Sequence, residues 1–178
     1  MTLSFLYRLR ISLRPTHRSI PALVLVALLG FLGTASAQVI LFVSQPASIA
    51  GSYTFGPGDA AQGWGYSYDS VQVQSRLALG TSSNAGGDSL ACDTNLINAS
   101  AVAGKICVLY RGSCEFGVKA LAAQRAGAIG CIIINHSAGV LNMGPGGAGG
   151  LVTIPVMLVS NSDGALIRQR MDSGDSVV

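Results

Sequence analysis

Charge and histidine are both scarce in this chain. Of its 178 residues only 11% are Asp, Glu, Lys or Arg, and two are His. His17 lies in the leader-like front of the sequence, so His136 alone remains for the body of the protein. That count excludes a histidine-rich metal centre, and no H-E-x-x-H or G-x-S-x-G element occurs. A serine or cysteine hydrolase built here would have to rely on His136. The glycine-laden segment 143–150 lacks the Lys-Ser/Thr of a phosphate loop, which removes the usual case for nucleotide binding. The longest apolar run, residues 20–32, falls short of the roughly 20 residues a comfortable transmembrane helix needs.

What stands at the front is a basic region carrying Arg8, Arg10, Arg14 and Arg18, that apolar run, and Thr34-Ala-Ser-Ala37. These are the three parts of a secretory signal peptide. The expectation is cleavage after Ala37 and a secreted or extracytoplasmic protein, with no stable membrane insertion once the leader is gone. The formal net charge of +3 owes everything to the leader: beyond it seven Lys or Arg face eight Asp or Glu. A near-neutral remainder with no Lys/Arg cluster cannot track a phosphate backbone, so nucleic acid is not an expected partner.

Export permits disulfides. Cys92, Cys107, Cys114 and Cys131 allow three complete pairings, and counting cannot choose among them. Local context narrows the field. Cys92 and Cys114 lie in polar turns where backbone can adjust, whereas Cys107 and Cys131 sit inside apolar runs and read as small core residues. A Cys92–Cys114 bond is therefore expected. The spacings contain no C-x-x-C knuckle for zinc. Asp59, Asp69 and Asp88 could offer oxygens to calcium, but nothing in their spacing specifies a site, and no cofactor is expected.

Along the chain, residues 38–43 and 52–55 read as short strands, and 56–65 as a Pro/Gly loop. Residues 71–79 alternate apolar and polar like a half-buried strand. The clearest unit follows: a strand at 105–110, a turn, a helix at 115–126 and a second strand at 129–134, in β-α-β order. Ser113 is placed to cap the helix with Glu115 in its first turn. Val118, Leu121, Ala122 and the stem of Arg125 recur at helical spacing, Lys119 and Gln124 fall toward the wetter side, and Gly127 supplies the stop. The strand at 129–134 is apolar on both faces, as in a covered parallel sheet. A strand at 155–159 and a helix at 161–171, capped by Ser160 with Asp163 and ended by Gly174, follow. Val177-Val178 looks like a further strand cut short, as a fragment of a longer protein would show.

Several separated blocks carry a resemblance. They are Gly104-Lys-Ile, Arg111-Gly-Ser-Cys114, Phe116, Lys119-Ala120, Ala122-Ala-Gln-x-Ala-Gly127-Ala, Ile132-Ile-Ile-Asn135, Ile154-Pro155 and Ser160-x-x-Asp-Gly164. In this order they resemble the protease-associated (PA) domain family, over roughly residues 65–175. Pro46 to Gly51 with Phe55-Gly56 looks like the lead-in of bacterial secreted members. The resemblance implies an α/β, α+β-like fold, with a central sheet or open barrel flanked by short helices and long loops. The organisation it suggests is a signal peptide at 1–37, a lead-in at 38–64 and the PA domain at 65–178. It also places Cys92 and Cys114 at the family's usual disulfide.

Members of the family lie beside or within secreted proteases, and in sorting receptors and ubiquitin ligases, without chemistry of their own. The function implied is a noncatalytic peptide-recognition or regulatory module whose partner is a peptide or an adjacent protease domain. The alternative is a lid that limits access to an attached active site. The candidate partner-binding residues are Arg111, Ser113, Glu115, Lys119, Asn135 and His136. Three of them have a plainer reading: Arg111 bonding loop carbonyls or Glu115, Lys119 solvated on a helix face, Asn135 holding its own loop. Phe116 reads as the plug between helix and sheet. Asn98-Ala-Ser and Asn135-His-Ser are glycosylation sequons.

Overall fold

The computed structural model describes residues 39–58, 63–66, 68, 72–83, 88–93 and 95–178. The leader, Asp59 and Asp69 lie outside them. Three parallel strands form the centre: β5 (Ile106–Tyr110), β6 (Gly130–Ile134) and β7 (Val156–Val159). With β3 (Phe55–Gly58) and β4 (Leu77–Leu79) they make a five-stranded sheet in the order β3-β7-β6-β5-β4. Only β3 runs antiparallel, along β7. As an edge strand it tolerates Pro57, which has no N–H to donate. A separate antiparallel hairpin joins β1 (Leu41–Val43) to β2 (Gly51–Tyr53).

Every residue of β6 is buried, because both sheet faces are covered. On one face Cys107, Leu109, Cys131, Ile133, Val156 and Leu158 pack with Ala120 and Ala123 of helix α2 (Phe116–Arg125). On the other, Val108, Ile132, Ile134 and Val159 meet Leu41, Leu77 and Met171, the last from helix α3 (Asn161–Asp172). A one-turn helix α1 (Ala99–Val102) precedes β5. Helix α2 is short and alanine-rich, so it can lie close to its neighbours. A Cβ on Gly117 would stand 2.1 Å from the Pro145 carbonyl oxygen, so the chain at 145–149 fits only against glycine there. The helix ends as expected. Gly127 takes φ +81°, and Gly127 N–H and Ala128 N–H donate to Gln124 and Ala123 carbonyls in a Schellman arrangement.

Four expectations need correction. Of the half-buried strand expected at 71–79, residue 71 lies outside the described residues and the rest shrinks to Leu77–Leu79, because its partner β5 begins at Ile106, opposite Leu77, and residues 72–76 have no strand to pair with among the described residues. Residues 55–58, expected largely as loop, extend along β7. Residues 177–178 are no strand, yet they bond: Ser44 and Gln45 N–H donate to the Val178 carbonyl and Leu77 N–H to that of Val177. The buried face of α2 is not 118/121/122/125. Gly117 and residues 119–123 are buried, while Val118 is half-buried and Arg125 exposed.

The Ser160 cap holds. Its Oγ accepts from Asp163 N–H at 3.1 Å and donates to the Asp163 carboxylate at 2.8 Å. The Cys92–Cys114 disulfide is present, with Cα atoms 5.6 Å apart, and Cys107 and Cys131 are free and buried.

Candidate functional site

Register builds the site. β5 and β6 are parallel with Tyr110 opposite Ile134, so the residues that follow, Arg111 and Asn135, leave the sheet side by side. The carboxyl ends of parallel strands are where α/β sheets commonly bind ligands. Arg111 N–H extends the ladder to the Ile134 carbonyl at 2.8 Å, and Asn135 N–H does so to Val159 at 2.9 Å. The chain after β5 then turns through Gly112 and Ser113 into the disulfide. Arg111, Gly112, Ser113, Cys114, Glu115, Phe116 and His136 line a shallow, open depression.

Asn135 is 2% exposed and organises this corner. Its Oδ1 accepts from Arg111 Nη1 and from His136 N–H, each at 2.9 Å, and its Nδ2 donates to the Gly139 carbonyl at 3.0 Å. Among the described residues Arg111 therefore pairs with neither Glu115 nor a loop carbonyl. Its guanidinium bonds Asn135 along one edge and lies 5.5 Å from the centre of the Phe116 ring. Phe116 packs against the α2-side core as well, so it anchors both helix and arginine. His136 is exposed and lines the same depression.

Ser113 does not cap α2. It is exposed with φ +61°, and the helix begins two residues after Cys114 with Glu115 as its flanking residue, making no side-chain cap. The tight turn and the disulfide hold the chain extended past the point where a Ser113 cap would have started the helix. Glu115 instead accepts from Gly147 N–H at 2.7 Å and pins the glycine-rich segment. Gln124 secures the far end of that segment: its Nε2 donates to the Leu151 carbonyl at 3.0 Å, and its Oε1 accepts from Thr153 N–H at 2.6 Å. Trp64 Nε1 donates to the Met143 carbonyl at 2.9 Å. This segment is tied down rather than a free loop.

Lys119 is the largest departure from expectation. It is 0% exposed, does not line the depression, and donates from Nζ to the Leu90 carbonyl at 2.6 Å. Position 119 belongs to the stripe 116/119/120/123 that faces inward, where loop 88–93 covers the helix. The backbone carbonyl of that loop satisfies the ammonium. Burial pushes its pKa down to about 8, against the opposing pull of the Asp88 carboxylate. Asp88 itself is held below the ordinary carboxylate range by the Ser82 hydroxyl and the Leu90 N–H. The inward spacing was a readable signal; the carbonyl partner was not. Burial also raises the Cys107 thiol to about 12 and Cys131 well above its ordinary value, which keeps both protonated and unreactive. Among the described residues no group of three or more His, Cys, Asp or Glu could hold a metal ion, and no helix is long and apolar enough to cross a membrane.

The PA domain profile matches residues 73–167, and the chain belongs to the PA domain family. Over 82 residues it is 34% identical to the ER degradation-enhancing alpha-mannosidase-like protein 3 of Xenopus laevis, covering 42% of this chain and 9% of that protein. Among solved structures it is similar to an aminopeptidase from Aneurinibacillus sp. strain AM-1. The TM-score is 0.53 at 19% identity, with 81% of this chain and 30% of that one covered. A zinc aminopeptidase from Bacillus subtilis gives a TM-score of 0.49 at 20% identity, with 72% and 27% covered. The chain thus spans less than a third of the length of each of these proteins.

Proposed function

We propose that this PA domain is a noncatalytic recognition module of a secreted protein, acting beside a peptidase domain. One observation carries the reading. Arg111 is fixed by Asn135 and Phe116 at the wall of an open depression, with Ser113 and His136 close by. A guanidinium held in place loses little freedom when it binds, and its donors match a carboxylate or a peptide carbonyl. Glu115 balances the charge of the wall, which suits an extended peptide or a segment of an adjacent domain better than a strongly anionic ligand. Family membership supports the noncatalytic role. The same fold within a chain named as an aminopeptidase supports a peptidase as the neighbour.

Isotope-labelled protein titrated with short peptides, free or amidated at the carboxyl end, should show saturable shifts at Arg111, Ser113 and His136. Arg111→Ala should abolish them. Absence of shifts with every peptide, together with altered substrate preference when the module is deleted from its parent protein, would replace recognition by a lid role. The export reading has its own check: protein recovered from the extracytoplasmic fraction should begin at Gln38, and an intact Met1 there would refute it.

A further inference from the structure

Loop 88–93, the disulfide and Lys119 meet at one place, and the two sulfurs of the bond have different surroundings. Cys114 lines the open depression, whereas Cys92 does not. Cys92 Sγ lies 3.7 Å from Lys119 Nζ, a fully buried ammonium held by the Leu90 carbonyl. Both cysteines are half-buried; Cys114 borders the open depression, and Cys92 sits beside a fixed cation.

We propose that Cys92–Cys114 is a thiol-exchange site whose substrate is a dithiol reductant. A thiolate of the reductant enters the depression, past Arg111 and His136, and attacks Cys114 Sγ. The reductant–Cys114 bond forms, the Cys114–Cys92 bond breaks, and the electron pair leaves on Cys92 as a thiolate beside Lys119. The second thiolate of the reductant then attacks its own sulfur in the mixed disulfide. That closes the reductant's disulfide and expels Cys114 as a thiolate, which takes a proton from water. Two electrons pass from the dithiol to the protein.

Exchange is faster when the departing thiol has a lower pKa, and a neighbouring ammonium lowers it. Two other titratable groups interact with Lys119. Asp88 is occupied by Ser82 and the Leu90 N–H, and Cys131 is a buried thiol held protonated. Reduction removes the covalent tie between loop 88–93 and the depression. It leaves backbone bonds such as Tyr110 N–H to the Ser89 carbonyl at 2.9 Å. The redox state thereby bears on the order of the wall that carries Arg111.

The test uses the purified oxidised chain without denaturant. Glutathione, a monothiol, is added, free thiols are trapped with iodoacetamide, and the adducts are mapped by mass spectrometry. The expected product carries glutathione on Cys114 and the alkyl group on Cys92. Dithiothreitol should reduce the bond fully at pH 7, roughly tenfold more slowly in Lys119→Met and at near wild-type rate in Lys119→Arg. Glutathione on Cys92, resistance to dithiothreitol in the folded protein, or equal rates in folded Lys119→Met would each overturn the proposal. If Lys119→Met does not fold, the adduct map of the wild-type protein decides the matter alone.

Discussion

Arg111 and Asn135 occupy the same position on neighbouring parallel strands, one residue past the paired ends, and are joined by a 2.9 Å hydrogen bond. The arginine is the group a ligand would touch. The asparagine is the group that determines where the arginine stands. Asn135→Ala leaves the Gly139 carbonyl and the His136 N–H without their side-chain partner in a buried corner. It should cost about 1–3 kcal/mol in urea denaturation. Arg111→Ala, at the rim, should cost about 1 kcal/mol or less while eliminating peptide shifts. Equal stability losses for the two variants would show that the division of labour is wrong.

Lys119 gives a pH signature with a definite sign. Its folded pKa is about 8 against an ordinary 10.5, so between these values the unfolded chain holds more protons than the native one. Stability from this group therefore rises with pH across that window; below it the cost of burying the charge is fully present. Wild-type protein should gain stability relative to Lys119→Met between pH 8 and 10.5. A difference that stays flat or falls contradicts the buried-ammonium picture.

The β-α-β centre was legible because local signals agreed there. Gly127 marked the helix end, the all-apolar run marked β6, and Ser160 with Asp163 marked α3. Legibility failed where a distant segment decided the outcome. Lys119 looks like a surface lysine until loop 88–93 supplies a carbonyl 29 residues away in sequence. Residues 72–76 alternate like a strand, but strand requires a partner, and β5 begins too late. At the site, Arg111, Ser113, Glu115 and His136 were all found to line the depression, while the structure gave Asn135 and Lys119 interior roles. Neither the Arg111–Phe116 stacking nor the Glu115–Gly147 bond could be read from spacing.

Glu115 and Gly117 hold the glycine-rich segment, and each can be tested. Glu115→Ala should increase cleavage within 144–150 by a nonspecific protease several-fold, with global stability falling by about 1 kcal/mol. Gly117→Ala should destabilise by about 1–3 kcal/mol because the added methyl meets rigid backbone. Protease resistance unchanged in Glu115→Ala would mean that Trp64 and Gln124 suffice.

Ile132→Asp places an unpaired carboxylate in the sheet interior and should yield no cooperatively folded protein. Removing the disulfide by Cys92→Ala with Cys114→Ala should be milder, at roughly 2–4 kcal/mol. A folded Ile132→Asp protein of near wild-type melting temperature would contradict the placement of β6 between two covered faces.

The internal use of Asn135 and Asn98 has a consequence for producing the protein. Both are acceptor sequons, and both amides are already engaged: Asn135 as described, Asn98 through Thr81 N–H at 2.9 Å and the Leu79 carbonyl at 2.8 Å. A glycan is added to a chain before its fold has closed. In a eukaryotic secretory host, a sugar on Asn135 Nδ2 would occupy the place where the Gly139 carbonyl must bond in a buried corner, and the modified molecules would be retained as misfolded. A bacterial host leaves that amide bare, so the choice of expression system determines whether this corner of the sheet can form.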